Sequence, residues 1–298
     1  MTQPMTDQEW LAERFEAHRG HLRGVAYRML GSLSEADDAV QESWIRLSRA
    51  DTNDIENLRA WLTTVVGRVC LNQLRSRRTR REAPLELHVA DPIVSPAAGT
   101  DPEHEALLGD SVGMALLAVL ETLSPAERVA FVLHDVFGVP FDEIAPIVGR
   151  SPAAARQLAS RARRRVRGAP VPDTDLDGQW AVVDAFLAAS RDGDFERLLA
   201  VLDPEVVLRA DGGVARPGLA QVVHGATSVA TNAMSFRHLV RTATRTLVNG
   251  SPGGVVWAPD GRPFAVLSFT VAGGRIVAID VLADPDRLGR LDLDQVAD

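Results

Sequence analysis

The sequence predicts a multidomain chain: two all-α modules, a helical bundle and a helix-turn-helix, followed by an α+β module with a curved antiparallel sheet. Three observations predict it. The 298 residues exceed one ordinary domain and suit two or three small ones. Apolar residues recur at helical spacing through the first half, whereas short β-like runs separated by Gly-containing turns dominate after residue 239. Two stretches rich in proline, 83–105 and 169–177, divide the chain into modules at 8–82, 106–168 and 178–298.

In the first module, Phe15, Leu22, Val25, Ala26, Met29 and Leu30 line one helical face. Ser34 reads as the N-cap of a second helix, with Asp37 three residues on and Val40, Trp44 and Leu47 as its stripe. A third helix runs from about Asn57 to Arg78 on Leu58, Trp61, Leu62, Val65, Val66, Val69 and Leu74. The second module is helical between Glu103 and Gly168. Ser124-Pro125-Ala126-Glu127 supplies a cap, a first-turn proline and a first-turn acid. Asp142-Glu143-Ile144-Ala145 opens a short helix that Gly149 ends, and Ser151-Pro152 starts the next. Helix, tight turn and capped helix make a helix-turn-helix. The third module is expected to hold helices at Gln179–Arg191, Phe195–Leu202 and Gly218–Ala233. Strands are expected at Leu239–Val248, Gly254–Ala258, Phe264–Val271 and Arg275–Leu282, joined at Asn249-Gly250, Asp260-Gly261 and Gly273-Gly274.

Composition narrows the function classes. With 46% hydrophobic and 24% charged residues the chain is globular rather than disordered. Met1–Gln8 is polar and no apolar run is long enough to span a bilayer, so a cytoplasmic protein without a membrane partner is expected. The single cysteine, Cys70, allows no internal disulfide and no cysteine-based zinc cluster, and on its apolar stripe it reads as a core residue. No metal or cofactor is expected. The net charge of -8 argues against nucleic acid only until its distribution is read. Residues 59–81 carry seven arginines and no acid, and residues 150–167 carry seven more and no acid. Such local faces, rather than the total charge, attract phosphates.

The second helix of the helix-turn-helix is expected in a major groove, with Ser151, Ala153, Ala154, Arg156, Gln157 and Ser160 towards the bases or nearby phosphates. Arg156 and Gln157 have the geometry to read guanine and adenine. Arg161, Arg163, Arg164 and Arg165 are expected on phosphates. Arg59, Trp61, Arg68, Asn72, Arg75, Arg77 and Arg78 combine charge with an aromatic and polar groups, which suits an unpaired strand, although Trp61 also sits on the apolar stripe of its helix. Ser34 to Glu42 forms an acidic face beside Trp44, on its own a solvated surface.

The stretches SEADDAVQESWIRL, AWLTTVVGRVCLNQLRSRRTRRE and LSPAERVAFVLHDVFGVPFDEIAPIVGRSPAAARQLASRARRRV resemble an extracytoplasmic-function (ECF) sigma factor, over essentially the whole chain. The resemblance is to the subgroup with a fused SnoaL-like C-terminal domain, which implies a cone with a curved sheet. It further implies that Asp37, Asp38, Gln41, Glu42 and Trp44 dock on the clamp helices of the polymerase β′ subunit. It places residues 59–81 on the -10 element and residues 124–167 on the -35 element and the β flap. In the subgroup a proline-rich WLPEP-type motif lies in the linker between the sigma modules. Here Leu87-His88-Val89-Ala90-Asp91-Pro92 keeps one proline, which weakens the expectation that this linker touches the C-terminal domain. Asn72 stands where the subgroup tends to have aspartate. Asp211-Gly212-Gly213 is similar to a DGGG motif, Asn249-Gly250-Ser251-Pro252-Gly253 is a second match, and Asp284-Pro285-Asp286-Arg287-Leu288 is similar to a terminal NPDKL motif. The resemblance implies that the C-terminal domain contacts the sigma part within the chain and controls it in cis.

Two other readings stand beside it: a helix-turn-helix regulator with a ligand pocket, and a SnoaL-type enzyme tethered to DNA. Asp211, His224, His238 and Asp280 are the candidate acid–base groups for the latter, and a structural role is the stronger expectation for them. A small apolar ligand in the cone is left open.

Overall fold

The structure, a computed structural model of the chain, describes residues 7–51, 55–80, 88–97, 113–240 and 242–296. In chain order the first elements are α1 (Asp7–Leu30), α2 (Leu33–Leu47), α3 (Leu58–Arg80), β1 (Val94–Pro96), α4 (Met114–Glu121), α5 (Pro125–Phe131), a π-helical turn (Val132–Val136), α6 (Phe141–Val148) and α7 (Pro152–Val166). They are followed by α8 (Leu176–Asp192), α9 (Phe195–Val201), β2 (Leu202–Asp211), β3 (Gln221–His224), α10 (Ala226–Ser235), α11 (Arg237–Val240), β4 (Ala243–Val248), β5 (Ser251–Trp257), β6 (Pro263–Ala272), β7 (Arg275–Leu282) and α12 (Pro285–Leu288). Arg81, the side chain of Arg80, Leu87 and the helical start expected at Glu103 lie outside the described residues.

Several helix ends follow the expected chemistry. Ser124 and Glu127 form a full capping box on α5, and the Ser151 hydroxyl accepts from the Ala154 amide at 3.3 Å. Gly149 ends α6 in the left-handed region, at φ 67°. Nothing crowds a Cβ built on Gly149. Gly149→Ala is therefore expected to cost only the backbone penalty, about 1–2 kcal/mol, read as a lower urea midpoint with an unchanged slope. The cap of α2 is Ser32, whose side chain accepts from the Glu35 amide, so the cap expected at Ser34 is displaced by two residues. The helix begins earlier because the preceding Gly31, at φ 68°, already turns the chain out of α1.

The chain divides into two compact units. The first joins Met1–Glu82 to Leu123–Arg167. Its core is built from fully buried Phe15, Leu22, Met29, Leu30, Leu47, Leu62, Leu71, Leu133 and Ile144. Cys70 is buried among them, and burial pushes its thiol pKa up, which suits an inert core residue.

The second unit joins Ala83–Thr122 to Gly168–Asp298. Its sheet has seven strands in the order β1-β4-β5-β6-β7-β2-β3. All pairs are antiparallel except β2 with β7. Leu208, Leu247, Phe269 and Ile279 face one side of this sheet, and α8, α9 and α10 cover it with Trp180, Val183, Phe186, Leu198, Val229 and Ala230. Three strands escaped the sequence reading. β2 continues directly from α9, and its alternation at Val206, Leu208 and Ala210 is brief and follows a proline. β3 and β1 are four and three residues long, too short for a period to register, and β3 occupies part of the helix expected at Gly218–Ala233. Asn249 (φ 50°) and Gly250 (φ 78°) make the expected turn between β4 and β5. The second linker is pinned at Asp173, whose carboxylate accepts from the amides of Gly273 at 2.8 Å and Gly274 at 2.9 Å.

Candidate functional site

Helix α7, the second helix of the helix-turn-helix, is held by its smallest residues. Ala155, Ala159 and Ala162 are fully buried and let it lie close to α5 and α6. Ser151, Ala153, Arg156, Gln157, Ser160, Arg161 and Arg164 are all exposed, whereas Ala154 is half-buried. Spacings of three or four residues put them on one face of a helix about 22 Å long, which fits a major groove. Two arginines of the set are diverted. Arg163 binds Asp135, and Arg165 donates to Glu127 at 3.1 Å. Their expected phosphate roles thus compete with contacts inside the module. Arg156 lies over the Phe141 ring at 5.4 Å, so the helix before the turn helps to orient it.

On α3 the exposed residues Arg68, Asn72 and Arg75 stand one turn apart, in line with half-buried Trp61. Arg59 is exposed at the start of the helix and Arg78 near its end. Arg77 is turned inward: it pairs with Glu35 and donates to the Leu30 carbonyl at 2.9 Å, joining the ends of α1, α2 and α3. In the free chain these contacts compete with its expected place in the strand-binding set. Arg59 also lies 3.3 Å from Nδ1 of His21, whose Nε2 is 3.2 Å from the Thr63 hydroxyl. Burial, then the charges of Arg59, His18 and Arg28, lower the His21 pKa to about 4, so the ring is neutral near pH 7 and accepts from Arg59.

Asp37, Asp38 and Gln41 are exposed on α2, and Glu42 and Trp44 are half-buried. Trp44 rests on Phe15 with ring centroids 5.2 Å apart. Asp37 accepts from Arg23 at 2.7 Å and Glu42 from Arg46 at 2.9 Å. Such exposed pairs are weak and exchange readily for a partner's groups.

The second unit brings three sequence motifs onto one linker segment. Arg287 donates from Nε to Asp91 at 2.7 Å, from Nη1 to Asp211 at 2.7 Å and from Nη2 to the Val89 carbonyl at 2.5 Å. Asp211 also accepts from the Val89 amide at 3.3 Å and lies 3.6 Å from His88. At the turn after β4, the Asn249 side chain accepts from the Ile93 amide at 3.0 Å, and its own amide donates to the Ile93 carbonyl at 2.8 Å. From there Val94–Pro96 continues as β1 along β4. Linker contact with the C-terminal domain, an expectation weakened by the loss of prolines, is therefore extensive. It runs through Asp91 and the backbone, which a proline count does not register.

The glycines of the Asp211-Gly212-Gly213 turn have steric reasons. A Cβ on Gly212 would overlap the Arg216 carbonyl, and one on Gly213 would overlap the Asp284 carboxylate. Gly213 is also left-handed, at φ 59°, and its amide donates to Asp211 at 3.0 Å. Asp284 caps α12 through the Asp286 amide, while Pro285 starts that helix and Leu288 is buried beneath it. Burial raises the Asp211 pKa. The hydrogen bond from His88, the charge of Arg287 and the amides of Gly213 and Val89 more than offset this and lower it to about 2.

The four acid–base candidates do not form a common site. Asp211 is held as described, and Asp280, 4% exposed, is paired bidentately with Arg209 at 2.7 and 3.2 Å. His224 and His238 are exposed. Among the described residues no cluster of three or more His, Cys, Asp or Glu side chains could hold a metal ion, and no helix is long and apolar enough to cross a membrane.

Comparison with known proteins follows this division of the chain. The family model for Sigma-70 region 2 matches residues 14–80, and that for Sigma-70 region 4 matches residues 113–166. The chain is 39% identical over 295 residues to a probable ECF RNA polymerase sigma factor, SigI, of Mycobacterium tuberculosis, covering 96% of this chain and 98% of the relative. It is 38% identical over 289 residues to the ECF RNA polymerase sigma factor SigJ of the same species, covering 92% and 91%. The crystal structure of Mycobacterium tuberculosis SigJ matches with a TM-score of 0.75 and 33% identity over 95% of this chain and 100% of that one.

Proposed function

Because the chain belongs to the ECF RNA polymerase sigma factors, with a SnoaL-like cone as its C-terminal domain, we propose that it directs polymerase through three separate surfaces and is governed in cis through its linker. Its function as a promoter-directing sigma factor follows from the family, as does binding to core RNA polymerase and promoter DNA. Arg156 and Gln157 read the -35 element, with Ser151, Ala153, Ser160, Arg161 and Arg164 on its backbone or neighbouring bases. Trp61, Arg68, Asn72 and Arg75 hold the unpaired -10 strand, with Arg59 and Arg78 on phosphates. Asp37, Asp38, Gln41, Glu42 and Trp44 engage the β′ clamp helices, and the region 4 module engages the β flap. The protein works in the cytoplasm, where polymerase is.

The observation that carries cis control is the clasp of Arg287 on Asp91, Val89 and Asp211. It ties the segment between the two sigma modules to the C-terminal sheet. That domain acts as a holder of the linker rather than as a catalyst, since the carboxylates of Asp211 and Asp280 are engaged by arginines. Transcription in vitro tests the reading. With core polymerase, the full chain is expected to initiate at defined promoters, and Asp91→Asn is expected to change the amount of transcript without moving the start site. No initiation at any promoter would remove the DNA assignments. Identical transcript levels from both proteins over a range of core concentrations would remove control through the clasp.

A further inference from the structure

Asn249-Gly250 is the one Asn-Gly step in the chain, and such a step can lose its side-chain amide spontaneously. The main-chain nitrogen of the second residue attacks the asparagine Cγ, ammonia leaves, and a five-membered succinimide closes. Water then opens the ring to aspartate or isoaspartate. Glycine in second place makes the attack easiest, because it has no side chain to hinder the approach and its backbone turns freely.

The fold holds this step in an unreactive form. Asn249 is 2% exposed, and among the described residues it is the only non-glycine in the left-handed region, at φ 50°. Its Oδ1 accepts from the Ile93 amide at 3.0 Å, and its own amide donates to the Ile93 carbonyl at 2.8 Å. Both bonds come from the linker, not from the hairpin that carries the step. They fix the carboxamide against the linker backbone, so its Cγ is not free to turn towards the Gly250 nitrogen. Val94–Pro96, next in the linker, then runs along β4 as β1.

We propose that Asn249 is a deamidation site guarded by the linker: it persists while residues 88–97 lie on the sheet and converts once they leave it. The inference goes beyond control in cis and needs only the contacts of Ile93. The conversion seals the release. Isoaspartate carries the main chain through the former side-chain methylene, which lengthens a two-residue turn and spoils the pairing of Val248 with Ser251. Aspartate places a charge at a buried position, which is costly. Either product weakens the hold on Ile93, so release favours conversion and conversion favours release. Ammonia is lost to solvent, and redocking of the linker does not restore the amide. Residue 249 thereby records how long the linker has been free.

The test ages the full-length chain at neutral pH and follows, by mass spectrometry, the amide-to-acid conversion of the peptide that holds residue 249. Asn72 and Asn232, both within helices, serve as internal references. The chain in guanidinium chloride gives the unguarded rate, and the folded parent is expected to convert ~100-fold more slowly. Ile93→Pro removes the donor amide and is expected to raise the folded rate about tenfold or more. Arg287→Met, which frees the other end of the same segment, acts in the same direction. Val183→Ala trims a fully buried side chain of α8 and leaves the linker contacts in place, so its rate is expected to stay within about twofold of the parent's. Equal rates in the folded parent and the unfolded chain overturn the guard. So do folded Ile93→Pro and Arg287→Met chains that convert at the parent's rate, or a Val183→Ala chain that converts as fast as they do. The converted fraction is expected to lose exchange protection at the Ile93 amide, and full protection there overturns the seal. Transcription enters none of these readouts, so a failed guard leaves the promoter assignments standing, and failed initiation leaves the guard standing.

Discussion

Arg287→Met is expected to destabilise the C-terminal unit by about 3–5 kcal/mol and to free residues 88–97 from the sheet. The guanidinium is the shared partner of two carboxylates in a poorly solvated place: Arg287 is 17% exposed, Asp91 8% and Asp211 14%. Removing it takes the shared guanidinium from two neighbouring buried carboxylates, and breaking a buried pair from one side has that cost. Methionine retains much of the stem volume, so the loss reports charge more than packing. Adding Asp91→Asn and Asp211→Asn to the same chain removes the stranded charges and is expected to restore a substantial part of the stability, a non-additive result diagnostic of one network.

Acid acts on the same node with a defined sign. Asp211 titrates at about 2 in the fold against 3.8 for the free side chain. A carboxylate lowered in this way stabilises the fold fully above its unfolded pKa, and the contribution is lost as pH falls from about 4 through about 2. In Arg287→Met the His88 and backbone hydrogen bonds to Asp211 and its burial remain while the Arg287 charge that also lowers it is gone, so the acid transition is expected to move to higher pH. Urea unfolding from pH 2 to 7, together with amide exchange at Val89, Ile93 and Asn249, measures both effects. Unchanged exchange at those amides in the variant would show that the linker is held by strand pairing alone.

Arg156→Ala is expected to flatten the preference at one base pair of the -35 element, by about 1–3 kcal/mol of discrimination, while binding to unrelated duplex changes little. The basis is its exposure near the N-terminal end of α7 and its support by Phe141. Arg164→Ala should do the converse: weaken binding on all sequences and reduce the slope of log affinity against log salt by about one. Arg163→Ala should have a smaller effect on DNA than either, because its guanidinium is already bound to Asp135. Anisotropy titrations of the core-bound protein against a panel of single-base -35 variants, at two or more salt concentrations, separate the three. If all three substitutions shift affinity equally on every sequence, α7 does not read bases through Arg156.

The helices and the helix-turn-helix were legible in the sequence because their signals are local. Gly149, Ser151-Pro152 and the Ser124–Glu127 box act within a few residues, and an apolar face at 3.6-residue spacing survives any tertiary arrangement. The exposed set Ser151, Ala153, Arg156, Gln157, Ser160, Arg161 and Arg164 could be listed for the same reason, since burial of three alanines at fixed spacing leaves only that face free. The two arginine-rich segments were equally visible, but the sorting of their members was not. Arg77, Arg163 and Arg165 face acids or carbonyls that come from other helices, and nothing in their own neighbourhoods distinguishes them from Arg75 or Arg164.

By itself, then, the sequence determined the helices of the first half, the helix-turn-helix and the turn motifs, through interactions that close within a turn or a hairpin. Only the tertiary structure decided that Asp91 and Val89 meet Asp211 and Arg287, that Ile93 meets Asn249, that β1 extends the C-terminal sheet, and that Arg128 donates to the Met29 carbonyl at the end of α1. These contacts join residues more than 90 positions apart. Their partners are chosen by chain packing and by the requirement that buried charges and backbone groups be satisfied, which no local pattern encodes.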